Sequence, residues 1–389
     1  MKSKFYSYLM SLGHVTADLN QGALSAILPF IIAANGYDYT TAGSIVMFYS
    51  IVGSFVQPIF GQIADKFFSP WIMPLSLLLA CGGMAMTGLT SSYWVMVAAA
   101  MISGIGVSMF HPGAALILNK TAPEGKLGEC LSIFSFGGNM GFVVGPILAG
   151  TSVALFGLKG TLVLLIPVLI ADTLLILKKD ELVQIMANSA ATKKAKTNGE
   201  GTDNWSAFSR LCLVIFGRSI IFFALNTYIL LYWIDVLGQT KAIGGTVLSC
   251  FFALSAFSTL LGGRLADKYG FRTILRASYL IMFPSLLLFS LNSSIIGCLI
   301  CLIPIGLSLS LGYSPQVALS QKYLPNHLGL ASGISLGLSV SIGGIMIPLL
   351  GKIADMYGLH MVFYALTIIS AIPLITSFCL PEVETKKAQ

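Results

Sequence analysis

The sequence predicts an all-α membrane protein of twelve transmembrane helices in two six-helix bundles, and three observations lead there. Of its 389 residues, 56% are hydrophobic and 10% charged, with a mean hydropathy of +0.87, more apolar surface than a water-soluble core of this length can bury. Apolar stretches of about 20 residues, enough to cross roughly 30 Å of hydrocarbon, recur along the chain. Motifs of the first half also return in the second at a fixed offset.

Taken in order, the spans centre near Asn20, Ser54, Leu79, Gly106, Gly141, Pro167, Phe222, Cys250, Leu286, Ile305, Val340 and Ile369. The first follows Lys2 and Lys4 and is too long and too polar for a cleavable signal, so it is expected to remain as a helix. After the sixth span a polar run, "NSAATKKAKTNGEGTDN", reads as a cytoplasmic linker. The expected domains are therefore residues 1–178, the linker 179–205, and residues 206–389. "GQIADK" at 61–66 returns as "GRLADK" at 263–268, an offset of 202 residues, and "GPILAG" at 145–150 is answered by "IPLLG" at 347–351. Such parallel duplication is the build of transporters that hold substrate near the membrane midplane between two halves.

Charge placement sets the topology. With both termini cytoplasmic, 18 of the 22 Lys and Arg fall in the termini and the connections on that side, leaving Lys159, Lys241 and Lys352 outside and Arg218 within a span. This is the positive-inside bias. The net charge of +7 therefore reports orientation and attraction to anionic lipid, and no nucleic-acid partner is expected. The seven cysteines lie within or at the ends of spans, which argues against a disulfide framework or a zinc cage. No phosphate-binding loop, His-Glu-x-x-His or paired Cys-x-x-Cys set is present. The reading is accordingly of a protein that is not an enzyme, without catalytic residues, metal or cofactor, powered by an ion gradient.

Polar residues inside the spans carry the functional reading. A bare carboxylate at mid-membrane costs several kcal/mol unless it is protonated, paired or hydrated, so Asp18 needs a reason. His14 shares its helix face four residues earlier, and Gln21 continues that face. The pair is a candidate proton-binding site, the alternative being a structural pair between helices. His111, just before Pro112, either faces a substrate cavity or packs in the core. Arg218 stays charged at any relevant pH and calls for an anionic substrate or Asp18 as its partner, unless it snorkels toward the cytoplasm. Asn139 and Asn226 are weaker substrate candidates. Tyr228, with Tyr232 and Trp233, reads as part of an interfacial aromatic belt, although Tyr228 could reach a cavity. In the fifth span Gly137, Gly141 and Gly145 recur every fourth residue, which lets helices approach closely, and Pro146 bends the helix. Gly333, Gly337, Gly343, Gly344 and Pro348 in the eleventh span repeat that device.

These residues resemble the major facilitator superfamily. Its loop motif is matched by Gly263, Asp267, Lys268, Gly270 and Arg272; the first-half copy keeps Gly61, Asp65 and Lys66, then departs as "FFSPW". The fifth span is similar to the family's antiporter motif through Gly141, Gly145, Pro146 and Gly150, with Ala149 in place of one glycine. "GHVTADLNQG", "FHPGA" and "SIFSFGGNMG" resemble the fosmidomycin resistance branch. The resemblance implies a conformational gating role for the loop and antiporter motifs, and proton-driven efflux of small phosphonate-type antibiotics by a protein of the cell inner membrane. The expectation is thus a monomeric proton-coupled antiporter whose partners are protons, a small anionic or amphipathic substrate and the bilayer. Proton symport of an organic anion or sugar, and a non-transporting receptor or scaffold, are the alternatives.

Overall fold

The computed structural model describes residues 2–66, 69–122, 127–190, 202–327, 330–331 and 333–382, and every regular element among them is helical. The helices are α1 (Lys2–Asn35), α2 (Tyr39–Lys66), α3 (Ile72–Thr87), α4 (Tyr93–Thr121), α5 (Leu127–Phe156), α6 (Leu165–Leu177) and α7 (Lys179–Ala190). They continue as α8 (Trp205–Asp235), α9 (Lys241–Tyr269), α10 (Phe271–Ser290), α11 (Ile295–Leu311), α12 (Tyr313–Tyr323), α13 (Ser339–Tyr357) and α14 (Leu359–Phe378). A 3-10 stretch, Gly157–Leu164, joins α5 to α6, and a π-helical stretch, Gly333–Leu338, leads into α13.

Ten stretches among the described residues are long and apolar enough to cross a membrane. One of them, Cys130–Leu177, has 48 residues and holds two spans divided by the 3-10 stretch, while the shorter apolar α3 supplies another. The protein is thus a multi-pass membrane protein with twelve spanning segments. α11 and α12 together form the tenth span, interrupted at Gly312.

The duplication is visible in the backbone. Gly36 ends α1 at φ +66° and Gly238 follows α8 at φ +65°, at the same 202-residue offset as the sequence motifs. This left-handed conformation favours glycine because a Cβ would collide with the following carbonyl. Gly157 closes the fifth span at φ +66°, whereas Gly358, at φ +88° and ψ 158°, joins α13 to α14. Gly270, at φ +91°, opens α10; its first-half counterpart, Phe68, lies outside the described residues.

The chain divides into two compact units, Met1–Lys196 with Thr240–Ser249, and Thr197–Gln239 with Cys250–Gln389. In the first, Leu9, Met10, Ala17, Leu77, Phe110 and Phe134 are core residues. There α1 lies against α5 with almost no space between backbones. A Cβ on Gly137 would sit 2.4 Å from the Ser11 carbonyl, on Gly141 2.8 Å from the Val15 carbonyl, and on Gly145 2.2 Å from the Leu19 carbonyl. The eleventh span does not repeat this stripe. A Cβ on Gly333 or Gly337 would meet nothing within 4 Å, whereas Gly343 closes on α8, against Phe223 and Ser219. Gly333 and Gly337 lie in the π-helical stretch that precedes α13.

Two further differences concern polar ends. The first twelve residues of the expected linker form α7, whose Glu181 accepts a hydrogen bond from Tyr6 of α1 (2.5 Å) and lies 3.0 Å from Lys178. The aromatic end of α8 is interior instead of interfacial: Tyr228, Tyr232 and Trp233 are all at most 2% exposed. Tyr232 packs on Phe363 at 4.8 Å and Trp233 on Phe289 at 6.2 Å.

Candidate functional site

In the first unit three titratable side chains from two helices meet. His14 and Asp18 lie one turn apart on α1, with His14 Nε2 3.0 Å from Asp18 Oδ2. His111 of α4 brings its Nε2 to 3.2 Å from Asp18 Oδ1 and 3.1 Å from His14 Nε2. The side chains are 10%, 14% and 24% exposed for His14, Asp18 and His111. Sequence spacing pairs His14 with Asp18; the structure adds His111 to the same cluster.

The other ring nitrogens settle the tautomers. His14 Nδ1 lies 2.7 Å from the Phe134 carbonyl, and His111 Nδ1 lies 2.7 Å from the Val107 carbonyl. A carbonyl can only accept, so both Nδ1 atoms carry hydrogen. Each neutral ring then presents a bare lone pair at Nε2. Two such lone pairs and a carboxylate converge at 3.0–3.2 Å, an arrangement without any donor unless a positive charge is added among them. The constellation is built to hold a cation, of which a proton is the smallest.

Helix α5 makes room for it. The His14 ring stacks on Phe134 with centroids 4.0 Å apart. A Cβ on Gly138 would stand 2.5 Å from His14 Nε2 and 2.8 Å from Asp18 Oδ2, so the absence of a side chain there leaves the pair its space. Gly138 escaped the sequence reading, which followed the four-residue glycine spacing; its adjacency to Gly137 was the available signal. Nearby, Gln21 Nε2 is buried with no hydrogen-bond partner among the described residues, Asn139 is half-buried, and Gly22 packs closely on Pro146. Gly150 makes only an ordinary contact, its Cβ position 3.7 Å from Ala26. Asp172 of α6 also has a buried Oδ1 without a partner among the described residues.

The second unit holds Arg218 on α8, 9% exposed, with a buried Nε that has no hydrogen-bond partner among the described residues. Its guanidinium lies over the ring of Tyr313, 4.7 Å from the centroid, and 6.0 Å from that of Phe222. Snorkelling to an interface is therefore not what this side chain does. One turn along from Tyr313, Gln316 is fully buried with both side-chain polar atoms unpartnered among the described residues, as are those of Asn226. Tyr228, by contrast, donates its hydroxyl to the Ile347 carbonyl at 2.6 Å.

Of the loop motif, Gly61, Asp65 and Lys66 lie outside the residues whose side chains are described. In the second copy Arg272 donates to the Leu380 carbonyl at 3.0 Å and lies 3.5 Å from Glu382, tying the start of α10 to the segment after α14. Asp267 and Lys268 are exposed, Lys268 standing over the Tyr269 ring, and Gly263 has only a loose contact with Ser314.

Twelve spans in duplicated halves, with ionisable groups inside the spans, define a polytopic transport protein rather than an enzyme. The chain belongs to the Major Facilitator Superfamily, which it matches over residues 10–346 and again over 211–389. Among curated relatives, the fosmidomycin resistance protein of Escherichia coli (strain K12) is 26% identical over 371 residues, covering 95% of this chain and 91% of that one. The multi-drug resistance efflux pump PmrA of Streptococcus pneumoniae (strain ATCC BAA-334 / TIGR4) is 26% identical over 83% of this chain and 82% of its own. The probable nitrate transporter NarT of Staphylococcus aureus (strain MRSA252) is 24% identical over 96% of this chain and 95% of its own. Among solved structures, a bacterial homolog of the human lysosomal transporter Spinster, inward-facing and occupied, superposes with a TM-score of 0.78 at 16% identity, covering 97% of this chain and 96% of that one.

Proposed function

We propose that this transporter exports a small anionic or amphipathic compound, such as a phosphonate-type antibiotic, in exchange for protons. In this reading it is a monomer of the cell inner membrane, with six-helix bundles at residues 1–178 and 206–389, a cytoplasmic linker at 179–205 and both termini in the cytoplasm. The observation that carries the coupling is the convergence of His14 Nε2, His111 Nε2 and the Asp18 carboxylate on one point. Resemblance to a fosmidomycin resistance protein and to a multidrug efflux pump favours export, and the lysine and arginine bias supports the orientation.

The cycle follows from differential binding. The Asp18–His14–His111 cluster takes a proton from outside, which occupies the lone pairs that accept the cargo's hydrogen-bond donors, and release follows. The emptied protein then turns, the proton leaves to the cytoplasm, and the bared lone pairs are ready for the next substrate; Arg218 is the candidate group for an anionic charge. Gln21, Asn139 and Asn226 offer polar contacts to the cargo, while Gly141, Gly145, Pro146 and Gly150 with the loop residues form the moving parts.

Import of an organic anion or sugar by proton symport uses the same groups, and the likeness to a probable nitrate transporter supports an anionic cargo. Inside-out vesicles separate the two. Cargo added to vesicles with an acidic lumen draws protons out if the protein is an antiporter, and carries protons in if it is a symporter. In either case Asp18→Asn is expected to reduce pH-gradient-driven transport to that of empty vesicles; undiminished pH-driven transport in that variant would remove the coupling role.

A further inference from the structure

The geometry points to His14, Asp18 and His111 as a binding site for one divalent transition-metal ion of the zinc class. Three observations carry this. The donor atoms already stand near ligand spacing: metal–nitrogen bonds of about 2.0–2.1 Å in a tetrahedron place neighbouring ligands roughly 3.3 Å apart; here the two Nε2 atoms are 3.1 Å apart, and His14 and His111 lie 3.0 and 3.2 Å from Oδ2 and Oδ1 of the Asp18 carboxylate. All three atoms lie within 4.8 Å of one another, so one ion reaches every one of them. The rings are also prepared as ligands, because each Nδ1–H is held by a backbone carbonyl at 2.7 Å, which fixes the tautomer and aims Nε2 inward, as outer partners do in metal centres.

Ligand chemistry decides which ion. Two imidazoles and one carboxylate suit Zn2+, Co2+, Ni2+ or Fe2+; Mg2+ and Ca2+ prefer oxygen alone, and Cu(I) prefers sulfur. With three protein ligands the fourth position stays open to water or to an anion. Sequence spacing conceals the site, since the third ligand comes from α4. The metal would occupy the same lone pairs as a proton. It would also pin α1 to α4, so transport is arrested while it is bound. The binding itself needs only the three side chains and does not rest on the coupling reading.

The test uses purified full-length protein stripped with a chelator. Co2+ is added and followed by its visible bands, which report nitrogen and oxygen ligation at low coordination number, and Zn2+ is titrated by calorimetry. One ion per chain is expected, with Zn2+ displacing Co2+ and excess Mg2+ or Ca2+ leaving the bands unchanged. His14→Ala and His111→Ala should each abolish the bands. Gly138→Ala, which keeps every ligand but crowds the His14 ring, should weaken binding by about tenfold or more, and it serves if a histidine variant does not fold. His327→Ala, which removes the other His–Asp pair, should bind as wild type. Bands absent from the wild type, or persisting in both histidine variants, overturn the site. Metal binding lost in His14→Ala while proton-driven transport survives keeps the metal site and removes the coupling role. No metal binding in the wild type, with transport lost in Asp18→Asn, does the reverse.

Discussion

His14 and His111 each commit one nitrogen to a carbonyl, and that commitment turns an ordinary pair of buried histidines into two inward-facing bases. The consequence can be tested without touching a titratable group. In Gly138→Ala the new methyl would stand 2.5 Å from the His14 ring, and the ring can yield only by leaving Phe134 or Asp18. The variant is expected to fold with little change in thermal stability and to lose most pH-gradient-driven transport. Wild-type transport rates in reconstituted vesicles would show that the His14 geometry is dispensable. Gly145→Ala gives the contrast, since its Cβ would press on the Leu19 carbonyl at 2.2 Å, and backbone cannot swing aside. There the expected outcome is a loss of stability of about 1–3 kcal/mol, as for overpacking, read as a lowered Tm in detergent.

Elements were legible where their own residues dictate the outcome. Spans followed from apolar length, and the close approach of α1 to α5 followed from Gly137, Gly141 and Gly145, because a missing Cβ is a property of one chain segment. Where the outcome depends on a distant partner, the reading failed. Tyr232 and Trp233 look interfacial by type, yet Phe289 and Phe363 enclose them. Gly333 and Gly337 have the right spacing, but a Cβ on either would meet nothing within 4 Å. The start of α8 was also unread. Asn204 caps the helix by accepting from Ala207 N at 2.9 Å, while Asp203 accepts from Asn326 N at 3.1 Å and pairs with His327 Nδ1 at 2.8 Å. Burial pushes the Asp203 carboxyl up, but the hydrogen bonds from Asn326 and His327 outweigh it and hold the group below its ordinary value. A lowered carboxyl pKa contributes stability above the ordinary carboxylate range and loses it as pH falls through the lowered value. The Tm difference between wild type and Asp203→Asn should therefore be present at neutral pH and shrink toward zero in acid. Salt should also reduce it, because His327 is 49% exposed. A difference that is constant with pH would remove the electrostatic account of this clasp.

Across the whole molecule the duplication preserved the scaffold and divided the chemistry. The glycine turns at Gly36 and Gly238 are equivalent, but the first unit holds an acid with two bases and the second a buried guanidinium. The sequence revealed each polar residue because an ionisable group in an apolar span is conspicuous. It did not reveal that His111 joins Asp18, or that Gln316 is left unpaired, since both depend on packing between helices far apart in the chain. This division makes the two roles separable. An unpaired buried charge destabilises a protein until a counter-charge arrives, so Arg218→Leu should raise the Tm of the empty transporter. Anion binding should separate the two proteins: a phosphonate at 100 times its Kd stabilises the wild type by about 2.7 kcal/mol, and gives no shift in Arg218→Leu. Asp18→Asn, which mimics the proton-loaded cluster, should weaken the anion-induced shift and lose the drive from a pH gradient, and Arg218→Leu should keep Co2+ binding at His14, Asp18 and His111. Thermal unfolding with and without phosphonate, alongside cobalt spectra, reads all three proteins. An Arg218→Leu protein that is less stable when empty and still stabilised by the anion would place the cargo's negative charge elsewhere.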